Sequence, residues 1–134
     1  MRKLIPAIFL ISLFANACTK SSGVAGVSDS EPPLIKIISP VNLPELHPGD
    51  QLNITANISD NRRLIAAAWE ALKAAAVCGN NPYKGEFQIS AKNFEMNISF
   101  TIPAGFSGER MMRLYAMDDS GNITTVDVPY KALN

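Results

Sequence analysis

Phe94-Glu95-Met96-Asn97-Ile98-Ser99-Phe100-Thr101-Ile102 decides the fold class. Large apolar residues occupy every second position and polar ones fill the gaps. That period of two puts one row of side chains in a core and the other in water, as a half-buried β-strand requires. Pro103-Ala104-Gly105 then stops the run.

Working outward, the same alternation recurs. Leu52, Ile54, Ala56 and Ile58 alternate with Gln51, Asn53, Thr55 and Asn57. Met112, Leu114 and Ala116 form an inward row, followed by Asp118-Asp119-Ser120-Gly121-Asn122, and Thr124, Val126, Val128 and Tyr130 form the last. Leu34-Ile35-Lys36-Ile37-Ile38 is a short β-branched run, and Lys84 to Ser90 reads as another strand. Short strands separated by Gly, Pro, Asn and Asp predict an all-β, immunoglobulin-like antiparallel β-sandwich of Greek-key type. About seven strands are expected, within a domain covering residues 34–134.

One stretch argues the other way. Leu64 to Val77 is dominated by Ala, Leu, Glu and Lys, the best helix formers. As a helix it would share one face among Ile65, Trp69, Leu72 and Ala76. Its place in the order of elements is nevertheless that of the third strand of an immunoglobulin-like fold, where a buried Trp is expected. The reading adopted is strand over about 64–71, with Ile65, Ala67, Trp69 and Ala71 inward and an irregular or briefly helical excursion over 72–83.

The first 33 residues do not read as core. Arg2 and Lys3 precede an apolar run from Leu4 to Phe14, and small residues follow up to Cys18. This is the tripartite order of a secretory signal. The run is too short for the roughly 20 apolar residues of a bilayer-spanning helix. Ala15-Asn16-Ala17-Cys18 resembles the bacterial lipobox, with Ala15 where Leu is usual. Residues 1–17 are therefore expected to be a cleaved signal, with Cys18 the lipid attachment point. Several acyl chains on one Cys anchor far more stably than a single chain. The alternative is an ordinary secretory signal cut after Ala17. Residues 18–33, Ser- and Gly-rich and ending in Pro32-Pro33, read as a flexible tether.

The chain holds two cysteines, Cys18 and Cys78. Acylation of Cys18 leaves Cys78 a small buried hydrophobe or a reactive thiol. The alternative, in an exported protein, is a Cys18–Cys78 disulfide. Loss of the signal removes two of the 12 basic residues and none of the 12 acidic ones, leaving a mildly acidic product. That argues against nucleic acid as a partner, since it requires concentrated positive charge.

Five stretches carry a wider resemblance: Ile37-Ile38-Ser39-Pro40, Pro48-Gly49-Asp50-Gln51-Leu52, Ile58-Ser59-Asp60-Asn61, Phe100-Thr101-Ile102-Pro103-Ala104-Gly105 and Ala116-Met117-Asp118-Asp119-Ser120-Gly121-Asn122. On these the chain resembles the small immunoglobulin-like envelope lipoproteins of Bacteroidetes. Some similar domains precede carbohydrate-binding modules in outer-membrane glycan-uptake proteins. The Ala-rich segment departs from the pattern. The resemblance implies the fold and an outer-membrane lipid anchor, and it implies no activity. In that lineage an acidic run after the lipidated Cys can direct surface export. Thr19-Lys20-Ser21-Ser22-Gly23 is neutral to basic, which favours the periplasmic face.

Chemistry is sparse. His47 is the single histidine, in a loop, and no zinc spacing, nucleophile–base arrangement or phosphate-binding loop occurs. No catalytic residue and no cofactor is expected. Asp60 and Asn61, with Asp118, Asp119 and Asn122, offer oxygen ligands of the kind Ca²⁺ takes. The same residues suit tight turns, because Asp and Asn bond the local backbone. Asn53, Asn57, Asn97 and Asn122 each begin an N-x-Ser/Thr triplet, read here as the wet rows of strands. Trp69, Phe87 and Tyr115 are expected in the core, and Tyr83, in a loop, is the candidate for stacking on a ligand. The expected function is a non-enzymatic lipid-anchored module binding an envelope protein partner. The alternative is a glycan-binding accessory lipoprotein of an uptake system.

Overall fold

The computed structural model describes residues 29–73 and 81–134. The predicted signal, most of the tether, Cys18 and Cys78 lie outside the described residues. Six strands and no helix occur among those described: β1 (Leu34–Ser39), β2 (Glu45–Leu46), β3 (Gln51–Lys73), β4 (Lys84–Thr101), β5 (Gly108–Asp118) and β6 (Ile123–Ala132).

Two long strands organise the molecule. β4 runs antiparallel along one edge of β3, from Gln51↔Thr101 to Glu70↔Lys84. The other edge of β3 is shared end to end. β1 pairs its first half, from Leu34↔Ser59 to Ser39↔Thr55, and β5 pairs its second half, from Leu64↔Asp118 to Lys73↔Arg110. β6 pairs β5, and β2 adds to β6 in parallel. The register shifts between Ser59 and Leu64 and again before Ala66, so β3 bends at its middle and the sheet curls.

The expected strands at 51–58 and 64–71 are one continuous strand, as are those at 84–90 and 94–102. The physical reason lies in the joins. Ser59-Asp60-Asn61-Arg62-Arg63 and Ser90-Ala91-Lys92-Asn93 contain neither Gly nor Pro, so nothing breaks the extended backbone. β2 has no alternating pattern and was not legible. Lys131 N donates to Pro44 O at 2.9 Å and Leu133 N to Leu46 O at 2.7 Å, holding it to β6.

The Ala-rich segment is strand through Lys73. Interior position overrides helix propensity, since both edges of this stretch are hydrogen-bonded, one to β4 and one to β5. The inward row differs from the expected one at its start. Leu64 is fully buried and Ile65 only half-buried, because the bulge at Leu64–Ala66 inserts a residue and resets the alternation. Ala67 and Ala71 point inward as expected.

One core serves both halves of the sheet. Ile54, Ala56, Ile58, Met96 and Ile98 from the first half join Leu64, Ala67, Met112, Leu114, Ala116, Val128 and Tyr130 from the second. Small Ala stands beside large Leu, Met and Tyr in this core. Gly85 shows the same economy. It stands opposite Trp69, and a Cβ there would lie 2.4 Å from the indole Nε1. Only glycine leaves room for the ring, which packs edge-on against Phe100 at 5.9 Å between centroids.

Candidate functional sites: an acidic corner and an open groove

Asp60 lies at the bend of β3. Its Oδ1 accepts from the Arg62 and Arg63 amides at 2.8 and 2.7 Å, substituting for the sheet partners the bend gives up. Asp118 ends β5 and is the one buried charged residue among those described. Its Oδ1 accepts from the Ser120 and Asn122 amides at 2.9 and 2.8 Å, and its Oδ2 from Asn122 Nδ2 at 2.7 Å. Gly121, with φ of 88°, completes the hairpin into β6. Burial opposes ionisation of Asp118. The bonds from Asn122, side chain and backbone, and from Ser120 and Gly121 outweigh it and hold the carboxyl below the usual carboxylate range.

The third acid is Asp29, in the segment before β1. Its Oδ1 accepts from the Glu31 amide at 3.0 Å and Asn61 Nδ2 at 3.2 Å, and its carbonyl accepts from Asn122 Nδ2 at 3.0 Å. One carboxylate oxygen from each of Asp29, Asp60 and Asp118 lies within 4.8 Å of the others. Of the five sequence candidates for oxygen ligation, Asp60 and Asp118 therefore meet, Asn122 touches Asp118 and Asn61 touches Asp29. Asp119 instead pairs with Arg63, Nε to Oδ2 at 3.3 Å. Sequence reading missed Asp29. It sits in an unpatterned Ser-rich stretch, and only the through-space bonds from Asn61 and Asn122 bring it in.

The aromatic candidates mostly pack on one another. Tyr83 lies edge-on to Phe106 at 5.2 Å and to Phe100 at 5.8 Å, and Arg110 stacks over Phe106 at 3.7 Å. Phe87 packs against Phe94 at 5.5 Å. Tyr83 is 36% exposed, whereas Trp69, Phe87 and Tyr115 are half-buried. Tyr115 donates to Glu70 across β3 and β5. Burial, then the Glu70 carboxylate, push its phenol up to about 12. His47 sits in an exposed turn, its amide donating to Asp50 Oδ2 at 2.8 Å.

The outer face of the second half of the sheet carries an open groove. Ala66 and Ala68 are too short to fill it. A hollow of about 380 Å³ is lined by Ala68, Trp69, Glu70, Lys84, Glu86 and Tyr115. A second, of about 210 Å³, shares Ala68, Glu86 and Tyr115 and continues to Met117 and Ile123. One end is charged and the other apolar, with Ile123 59% exposed. The groove borders the first half of β4, whose only strand partner among the described residues is β3.

No family model and no curated protein matches the chain. Solved structures similar in fold include an LPMO from Kitasatospora papulosa, with 8% identity and a TM-score of 0.40, covering 69% of this chain and 52% of that one. Another is Spo0M, the sporulation control protein of Bacillus subtilis, with 10% identity and a TM-score of 0.47, covering 77% of this chain and 49% of that one. The chain thus spans about half the length of these structures. The likeness is one of β-rich architecture and carries no assignment of activity.

Proposed function

We propose that this protein is a non-enzymatic, lipid-anchored envelope module that binds a protein partner through the alanine-floored groove. The carrying observation is the groove itself. It is shallow and continuous, apolar at Met117 and Ile123 and charged at Glu70, Lys84 and Glu86. That mixture suits a peptide segment or strand laid beside the open edge of β4 better than a small substrate, which needs an enclosing cavity with converging polar groups.

The anchor is Cys18, acylated after removal of residues 1–17, at the periplasmic face of the outer membrane; the lipobox-like Ala15-Asn16-Ala17-Cys18 supports this. The domain is an immunoglobulin-like sandwich. In support, splitting β3 and β4 at their bends yields two layers, β1 with the first half of β3 and the second half of β4, then the remaining halves with β5, β6 and β2. The glycan reading draws less support, since Tyr83 and Trp69 each pack in a T-shaped contact with Phe100 and Trp69 is half-buried.

The test places a photo-crosslinking amino acid at residue 68 of the full chain in its native envelope. A discrete crosslinked protein, absent when the label is placed at Ile38 instead and lost on adding Glu86→Arg, supports the reading. Crosslinks no different from those at Ile38 would refute it.

A further inference from the structure

We propose that Arg110 and Tyr130 form a binding site for an organic carboxylate at the Phe106 end of the core. Arg110 lies on the inward row of β5, in step with the buried Met112, Leu114 and Ala116. Its direct cross-strand partner on β6 is Tyr130, which is fully buried. Residues opposite each other on antiparallel strands share a face, with Cβ atoms about 4.5–5.5 Å apart. Two hydrogen-bond donors therefore stand side by side on the core-facing side of the sheet. The Arg110 Nε and the Tyr130 hydroxyl are both closed off from water, and neither has a hydrogen-bond partner. Among the described residues Arg110 has no acidic partner. Its guanidinium packs instead on the Phe106 ring, 3.7 Å from Cζ to the centroid, a contact that offers Nε no lone pair. An uncompensated charge on an inward row is costly, and so is a buried hydroxyl without a partner. An anion seated against both answers both.

The ligand class follows from what these residues supply. Burial pushes the Tyr130 phenol up, so it keeps its proton at neutral pH and serves as a neutral donor. One permanent cation and one neutral donor call for a single negative charge. A carboxylate carries that charge, and its two oxygens match the planar fork of a guanidinium. A phosphate monoester carries about −1.5 to −2 near neutrality, more than one arginine balances. The part of the ligand next to the carboxylate meets aromatic walls. Phe106 covers the guanidinium, and Tyr83, 36% exposed, stands edge-on to Phe106 at 5.2 Å. The ligand is therefore a carboxylate borne on an apolar group, whether a small aromatic acid or the free end of a peptide chain. Arg110 lies on the opposite row of β5 from Tyr115 and Met117, which line the groove. The inference thus depends neither on the groove nor on the lipid anchor.

The test is NMR of the nitrogen-15-labelled full chain, following the Arg110 Nε–H signal, which is assigned by its loss in Arg110→Met. Sodium benzoate should move the signal saturably, with a Kd of about 10 mM or tighter. Benzamide, the same ring without the charge, and inorganic phosphate should each bind at least about tenfold more weakly. Arg110→Lys should weaken benzoate about tenfold, because an ammonium lacks the fork, and Tyr130→Phe should weaken it severalfold. N-acetylphenylalanine separates the two sources. Binding at least about tenfold tighter than benzoate assigns the site to a chain end, and binding no tighter assigns it to a small acid. Thermal melts add a reading that packing alone would not produce. Arg110→Met should melt no lower than the parent, since it removes an unpaired inward charge, and benzoate should raise the melt of the parent only. An Arg110 signal that ignores benzoate, or answers benzamide or phosphate equally, would overturn the inference, as would undiminished binding by Tyr130→Phe.

Discussion

Gly85 and Trp69 share a single volume, and one methyl group decides between them. A Cβ at residue 85 meets the indole at 2.4 Å, inside any tolerable contact, so Gly85→Ala must push the ring away from Phe100 or bend β4. Overpacking of this kind costs about 1–3 kcal/mol. The chain has one Trp, so the displacement is readable directly. Urea titration of Gly85→Ala should show a lower midpoint, and the folded-state tryptophan emission should move to the red. An unchanged midpoint and spectrum would mean that Trp69 does not lie over Gly85. The pairing was not legible in the sequence: Lys84 to Ser90 reads as a strand, but nothing in its pattern announces that Gly85 faces a Trp across the sheet. The acids show the same limit. Asp60 and Asp118 stood out because each ends an alternating run, whereas Asp29 stood in a stretch without pattern.

At the scale of the element, the bulge in β3 sets which apolar side chain enters the core. Strict alternation back from Trp69 assigns Ile65; the observed register assigns Leu64. Leu64→Ala should therefore cost about 2–5 kcal/mol, as large-to-small changes in a packed core do, and Ile65→Ala less than half of that. Chemical denaturation of the two variants decides it, and the reverse ranking would restore the unbulged strand. The strands at 51–58 and 94–102 were legible because unbroken alternation coincides there with burial of one row, complete but for the half-buried Phe94. The segment at 64–73 was harder because its Ala content carries helix propensity, which pairing on both edges overrides. Between β5 and β6, Arg113 grips Asp127 with two bonds, Nε to Oδ1 at 2.7 Å and a terminal nitrogen to Oδ2 at 2.9 Å. The hydrogen bond from Arg113 lowers the Asp127 carboxyl below its ordinary value. A depressed carboxyl stabilises the fold at pH above the unfolded value of about 3.9, and that stabilisation is lost as pH falls through the folded value. With the Asp127 side chain 40% exposed, solvent screens the pair and its contribution is small. The stability difference between the parent and Asp127→Asn should be largest near neutrality and close as the pH drops below about 4. A difference that persists in acid would assign the effect to something other than the ion pair.

Across the whole molecule, two long bent strands let about a hundred residues build a single core without a helix among the described parts. That construction leaves two places with unspent chemistry, the Arg110 end of the core and the groove beside the open edge of β4. In the proposed function the module acts by holding and presenting a surface, and its place is fixed by Cys18. Feeding cells an alkyne fatty acid and labelling the purified chain tests this most directly. The account predicts label on the parent chain, carried by the peptide beginning at Cys18, and its loss together with membrane retention in Cys18→Ala. An unlabelled parent chain, released from the envelope as a soluble protein, would contradict it.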